Sequence, residues 1–228
     1  MIYNKREFGG GLALLVLFFV VLFVMFQPMF KGHNAMEYLD ALYNSISKGS
    51  VYYVPAMKEQ VETIKGKDVA MTLDYGDTDQ AGQTAAMFVK SGINARAEGS
   101  AVTVNGSLDA ILLATLADSD FMYHNDGKAV SEKYSLEPRR ALFNWWTTLK
   151  LVDKYLKSQN AFAEAKVTAT IQKKAVETAY NYFEVEPVHI MDKLGLVIFS
   201  LAFYVIYTLW YGFAILFLFE GWGLKLSH

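Results

Sequence analysis

The chain has 228 residues, of which 53% are hydrophobic and 15% aromatic, and its formal net charge is -2. This length allows one or two domains, and the small net charge excludes the basic surface typical of nucleic-acid binding, so we expect no nucleic-acid partner. The chain contains no cysteine, which excludes disulfides, thiolate metal sites, iron–sulfur ligation and thiol catalysis.

The first apolar run, residues 9–30, predicts a transmembrane helix. Gln27 is its only strongly polar residue, and its length covers a hydrocarbon core of about 30 Å. Lys5 and Arg6 precede it, as they would in a signal peptide, but the QPMF sequence at 27–30 is not a small-residue cleavage site. We therefore expect an uncleaved anchor that follows a short tail at residues 1–8.

Residues 31–193 predict an α-rich α+β domain. Helical spacing of apolar residues begins at Ala35 and suggests a continuation of the first span. A small β-α-β-β insert follows, with Asp77 as the expected N-cap of its helix. The predicted elements of this half are helix 35–48, a helix from Pro55 to about Gly66, strand 69–73, helix 79–90, and a hairpin of strands 93–97 and 101–104.

The second half of this domain predicts helices. Ser107 is a suitable N-cap for a helix that ends near Met122, and a polar loop is expected at 123–135. Glu137-Pro138 is a typical helix start, and a further helix is expected at 162–183. These last two helices predict an αα-hairpin that leads into the second span.

The second apolar run, residues 194–219, contains no charged residue and predicts a second transmembrane helix, followed by a tail at 220–228. Two spans place both termini on one side, and Lys5 and Arg6 indicate the cytoplasm, with Lys225 in agreement. Lys31 and Lys193 flank the other ends of the spans and weaken this assignment. We expect a bacterial inner-membrane protein whose main domain is periplasmic. With tails this short, we do not expect a sensor with its own cytoplasmic output domain.

An acidic segment supplies the candidate metal ligands Asp118, Asp120, His124 and Asp126. Their oxygen and imidazole groups can bind calcium, zinc or manganese. The segment has no EF-hand or zincin spacing, and Asp and Asn also suit a helix end followed by a turn. We favour the structural interpretation and predict no metal.

Two other pairs of side chains suggest sites. His33 and His189 lie just outside the two spans, where a haem or a quinone head group is an alternative to an ordinary interfacial role. Trp145 and Trp146 are adjacent on one helix and point about 100° apart, so one is expected in the core and the other at an interface.

The second span carries hydroxyl groups on one helical face, since Ser200, Tyr204, Tyr207, Thr208 and Tyr211 follow helical spacing. This face predicts either a packing seam or the lining of a proton or quinone path. Neither span contains a charged residue, which favours the packing seam. The first span offers few polar groups, so a helix of another subunit is the expected partner.

No catalytic motif is recognisable. The prediction is a non-catalytic, doubly membrane-anchored accessory or structural subunit of a bacterial inner-membrane complex, respiratory or transport, with no cofactor of its own. It would contact membrane lipid and dock other integral membrane subunits through its periplasmic domain and the hydroxyl face. The alternative is a homo-oligomeric two-span channel or ring scaffold, and a ligand-binding receptor with a separate signalling partner is a third hypothesis.

Overall fold

The computed structural model describes residues 2–30 and 32–224. Lys31 and Lys225, which entered the topology prediction, lie outside the described residues. The chain divides into two compact units: unit 1 comprises Met1–Ser47 and Pro187–His228, and unit 2 comprises Lys48–Glu186. The fold is helix-rich, with one small sheet.

The three strands lie in the first half of unit 2, and helices precede and follow them in the chain. The helices are α1 Lys5–Met25, α2 Ala35–Lys48, α3 Val54–Glu62, α4 Thr78–Lys90, α5 Leu108–Tyr123, α6 Gly127–Tyr134, α7 Pro138–Ser158, α8 Phe162–Ile171, α9 Glu177–Tyr182 and α10 Leu194–Trp222. The strands are β1 Asp68–Asp74, β2 Asn94–Glu98 and β3 Ala101–Ser107. A π-helix, Gln172–Val176, joins α8 to α9, and a 3₁₀ turn, Ile190–Lys193, precedes α10.

In unit 1, α1 and α10 pack closely through small residues. A Cβ added at Gly11 would lie 2.7 Å from the backbone nitrogen of Leu218, and one added at Gly221 would lie 2.4 Å from that of Phe8. The carbonyl of Gly221 also accepts hydrogen bonds from the backbone of Tyr3 and Asn4, both at 3.0 Å. Glycine is required at these two positions because the backbones approach too closely for any side chain.

Aromatic side chains continue this contact toward the middle of both helices. Phe18 stacks on Tyr207 with ring centroids 4.3 Å apart, and Tyr211 lies against it at 5.1 Å. The indole of Trp210 donates a hydrogen bond of 3.1 Å to the carbonyl of Leu14. The pair is therefore held by close backbone contact at one end and by ring packing nearer the other.

The remaining surface of both helices is apolar and exposed. Side chains of this kind include Leu12, Val16, Phe19, Val20 and Phe23 on α1, and Ile198, Leu201, Val205, Leu209 and Phe213 on α10. Both helices are long and apolar enough to cross a membrane. The core helix of a soluble protein would bury such side chains.

Unit 2 contains an antiparallel sheet of order β1-β3-β2, in which Met71 pairs with Val104 and Arg96 with Thr103. One face is buried under helices, because Val69, Met71 and Leu73 alternate with exposed residues along β1. The predicted β-α-β-β insert is confirmed. Its helix α4 is capped by Asp77 as expected, and α5 is capped by Ser107.

Two differences from the sequence predictions concern helices. The polar loop expected at 123–135 is wrong, because α6 forms there, with Asp126 as its N-cap and Val130 and Tyr134 buried. The expected continuation of the first span into helix 35–48 is also wrong, since α1 ends at Met25 and α2 begins as a separate helix. Residues 26–30 of the predicted span thus lie beyond α1.

The core of unit 2 contains one fully buried carboxylate, Asp118 of α5. It accepts hydrogen bonds from Tyr134 Oη at 2.5 Å and Trp145 Nε1 at 2.7 Å, and Lys133 Nζ lies 2.9 Å away. Buried charges are tolerated when they are paired and hydrogen-bonded. Asp118 therefore joins α5, α6 and α7 around a single anion.

The two ends of unit 2 meet at a buried lysine. Lys48 is 1% exposed, and its ammonium donates to Asn125 Oδ1 at 2.8 Å and to the carbonyls of Tyr182 and Val185 at 3.0 and 2.6 Å. Burial lowers the pKa of Lys48, an effect that the nearby Glu186 opposes. Lys48 is the first residue of unit 2, and both carbonyls lie within five residues of its last residue, Glu186. The ammonium group therefore links the two ends of the unit.

We expect Gly11→Ala to destabilise the α1–α10 pair by about 1–3 kcal/mol, because the new methyl group meets the backbone of α10. Gly10→Ala is the matched control, since a Cβ there meets nothing within 4 Å and alanine favours the helix. Thermal unfolding of the purified chain in detergent micelles measures both. Equal midpoints for the two variants would refute the close contact.

Replacing the buried cation in Lys48→Met should destabilise unit 2 by about 2 kcal/mol or more, because buried carbonyls lose a charged donor. Lys90→Met, at an exposed position on α4, should change stability by less than about 0.5 kcal/mol. Chemical unfolding of both variants, followed by tryptophan fluorescence, compares them. A Lys48→Met protein as stable as Lys90→Met would show that the hydrogen bonds of Lys48 contribute nothing to the stability of unit 2.

Candidate functional site

The four candidate metal ligands have different partners in unit 2. Asp118 is buried with its three donors, and Asp126 caps α6 by accepting from Ala129 N at 3.2 Å. Asp120 and His124 remain together, with Nδ1 of His124 3.2 Å from Asp120 Oδ1. In residues 2–30 and 32–224, no group of three or more His, Cys, Asp or Glu side chains has metal-site geometry.

Asp120 instead belongs to a small surface cluster. It accepts a 2.7 Å hydrogen bond from Tyr52 Oη, and Lys58 Nζ lies 3.8 Å from its other oxygen. Burial and the bond to Asp120 raise the pKa of Tyr52 to about 12. The tyrosine is therefore a neutral donor at physiological pH, and the cluster joins the segment before α3 to the end of α5.

The two histidines outside the spans have local roles. His33 Nδ1 lies 3.4 Å from Glu37 Oε2, and His189 accepts a 3.3 Å hydrogen bond from the backbone of Met191 at the 3₁₀ turn. Both side chains contribute to helix starts. The haem and quinone alternatives stay hypotheses.

The hydroxyl face of α10 divides between contacts within unit 1 and exposed positions. Ser200 Oγ is 2.6 Å from Tyr43 Oη of α2, and the ring of Tyr207 lies against Phe18. Tyr204 is 69% exposed, whereas the exposed Thr208 donates to its own helix at the Tyr204 carbonyl, 2.7 Å away. The partner helix therefore stays a prediction, and Tyr204 is more exposed than Tyr211 on this face, at 69% against 45%.

Trp145 lies in the core of unit 2, and Trp146 lies at its surface. Trp145 is fully buried, with Phe88 edge-to-face at 5.4 Å, while Trp146 is partly buried and lines a cleft between α7 and α9. We call this cleft, of about 280 Å³, the aromatic cleft. It is lined by Leu142, Phe143, Trp146, Val176, Glu177, Tyr180 and Asn181.

The π-helix fixes one wall of the aromatic cleft. The backbone N–H of Glu177 donates to the carbonyl of Gln172, a bond between residues five apart. In an α-helix residues five apart point about 140° away from each other, but in a π-helix they lie one turn apart. Both side chains consequently reach Trp146: Gln172 Nε2 donates to its carbonyl and Glu177 Oε1 accepts from its indole, each at 2.9 Å.

Cations flank the exposed rings of the aromatic cleft. The Arg140 guanidinium lies 5.6 Å from the centre of the Phe143 ring, and Lys150 Nζ lies 5.3 Å from that of Trp146. Throughout the part of the chain that the structure describes, no carboxylate forms a salt bridge with Arg140 or Lys150. Arg140 and Lys150 therefore place positive charge beside two rings of the cleft, whose own lining is mainly apolar and includes the carboxylate of Glu177.

Sequence reasoning identified one residue of this cleft, Trp146, and missed the others. Phe143 and Tyr180 lie on different helices, 37 positions apart in the chain, and only the fold brings them together. The polar residues that fix the wall, Gln172 and Glu177, resemble ordinary surface positions of a helix. The exposure of Phe143, at 41%, is the property that distinguishes the cleft from core.

No protein-family model, curated protein or solved structure matches this chain.

Proposed function

We propose that this protein is a non-catalytic, doubly membrane-anchored accessory subunit of a bacterial inner-membrane complex. The support for membrane anchoring is the outer surface of α1 and α10, which exposes apolar side chains along two helices of spanning length. Exposed apolar surface of this extent is favourable only in lipid or against another apolar protein surface.

The observation that carries the docking function is the aromatic cleft of unit 2. Its partly exposed rings, its mainly apolar lining and two nearby cations that form no salt bridge with a described carboxylate match the anchors of protein interfaces, where aromatic residues and arginine are enriched. The π-helix interrupts the regular α-helix and positions the two side chains that hold Trp146. Such π-helical turns are frequent at functional sites. We infer that unit 2 binds a partner segment with an apolar anchor side chain beside acidic groups.

Two features of this proposal concern the membrane. Lys5 and Arg6 in the first turn of α1 support cytoplasmic termini and an extracytoplasmic unit 2 by the positive-inside rule. Within the bilayer, the exposed hydroxyl of Tyr204 provides a hydrogen-bonding group for a helix of a partner subunit.

The experiment that tests docking compares recovery of co-purifying subunits after mild-detergent extraction. Phe143→Ala and Lys150→Glu should each weaken the complex by about 1–2 kcal/mol, because they remove an anchor ring and reverse a rim charge. Phe162→Ala, at a 62% exposed position outside the cleft, and Lys90→Glu are the matched controls. Native mass spectrometry measures the bound fraction.

Two results would count against this function. Equal recovery in cleft and control variants would place docking elsewhere, and a single species at a multiple of 25.7 kDa would favour the homo-oligomeric channel or scaffold.

The contribution of the partner helix is tested with Tyr204→Phe, which removes only the exposed hydroxyl. We expect loss of about 0.6 kcal/mol of interhelical binding, seen as lower recovery of the complex at rising detergent concentration. Stability of the isolated chain should not change, because no described side chain or backbone group hydrogen-bonds to this phenol oxygen. Recovery identical to that of the unmodified protein would remove Tyr204 from the interface.

A further inference from the structure

Unit 1 contains a second cavity, of about 320 Å³, which we call the apolar cavity. It lies where α1 ends, between the last turn of α1, the first turns of α2 and the first half of α10. Its lining includes Met25, Met29, Tyr38, Leu39, Phe199 and Phe203.

The cavity follows from the way the helices of unit 1 are joined. Gly11 and Gly221 hold α1 and α10 in backbone contact at the far end of the pair. At the near end α1 stops at Met25, while α10 continues to Leu194. The hydrogen bond between Tyr43 and Ser200 holds α2 against this part of α10. Large apolar side chains therefore surround a space that no backbone fills.

The lining gives water little to bind. Ser200 is the hydroxyl residue that α10 contributes to the lining. Its Oγ already forms a hydrogen bond with Tyr43 and donates one of 2.9 Å to the Val197 carbonyl. Tyr38 presents its ring, which stacks on Phe30 with centroids 5.3 Å apart. Cavities with an apolar lining stay dry and bind apolar molecules.

The cavity is also continuous with the exposed apolar flank of unit 1. Phe199 lines it and is nevertheless 64% exposed, and Phe23, one turn of α1 before the cavity, is 67% exposed. In a membrane, lipid covers this flank, so acyl chains are the molecules present at the opening.

We propose that the apolar cavity binds one acyl chain of a membrane lipid. This inference rests on the membrane anchoring proposed above. The chain would be held by dispersion contacts with methionine and phenylalanine side chains, which adapt to a flexible hydrocarbon. A bound chain would fill the gap between α1, α2 and α10, and so act as part of the packing of unit 1.

The test uses the full chain in nanodiscs that contain a phospholipid with a diazirine near the end of one acyl chain. After photolysis, peptide mass spectrometry should locate adducts at Met25, Met29 and Phe199 in excess over Phe19 and Phe213, which are exposed apolar side chains outside the cavity lining. Ala35→Phe, which fills the cavity from α2, should lose this excess. Ala41→Phe, at an exposed position of the same helix, should keep it.

Leu39→Ala guards against a folding defect in the filled variant, because it enlarges the cavity and should retain or increase the excess. Adducts spread evenly over both helices, and unchanged by Ala35→Phe, would overturn the lipid site while leaving membrane anchoring intact. Adducts absent from α1 and α10 altogether would overturn both. Crosslinks from the cavity to a co-purified protein would replace the lipid with a partner helix.

Discussion

The closure of unit 2 depends on the buried ammonium of Lys48. A lysine taken out of water must recover its lost solvation, and here one amide oxygen and two carbonyl oxygens provide it. Asn125 takes part from the other side, since its left-handed conformation directs Oδ1 toward both Lys48 and the backbone of Glu184, 2.8 Å away. The first and last segments of unit 2 are thus fixed by one cation.

Unit 1 is organised by a different constraint, the closeness of two backbones. Gly11 and Gly221 allow that approach, and in a lipid environment such contact replaces the hydrophobic force that drives packing in water. The same geometry leaves the opposite end of the pair wider, so that ring packing and the apolar cavity follow from it. Small residues at one end bring the backbones together, and large ones at the other end surround the cavity proposed to bind a lipid chain.

Local chemistry made much of the fold predictable. Asp77, Ser107 and Glu137-Pro138 begin helices where the sequence indicates them, because a cap acts through the few residues beside it. The sequence does not predict helix α6 because the helix is short and polar, and because Asn125 before it and Gly127 at its first position also suit a turn. Gly127 shows what the sequence cannot reveal: a Cβ there would lie 2.5 Å from the Phe183 ring, a contact across 56 positions. The aromatic cleft and the hydrogen bonds of Lys48 likewise join residues that are far apart in the chain.

The geometry of the aromatic cleft depends on the π-helix Gln172–Val176. An uninterrupted α-helix from Phe162 would direct Gln172 and Glu177 to different sides, and only one of them could reach Trp146. The π-helix brings both to the indole, which fixes the ring at the edge of α7 while leaving it partly exposed. A ring held in place loses little entropy when a partner covers it, so its burial contributes more fully to binding. The irregular turn therefore explains how a partly exposed tryptophan is held in one position, and this is the property on which the proposed docking of a partner rests.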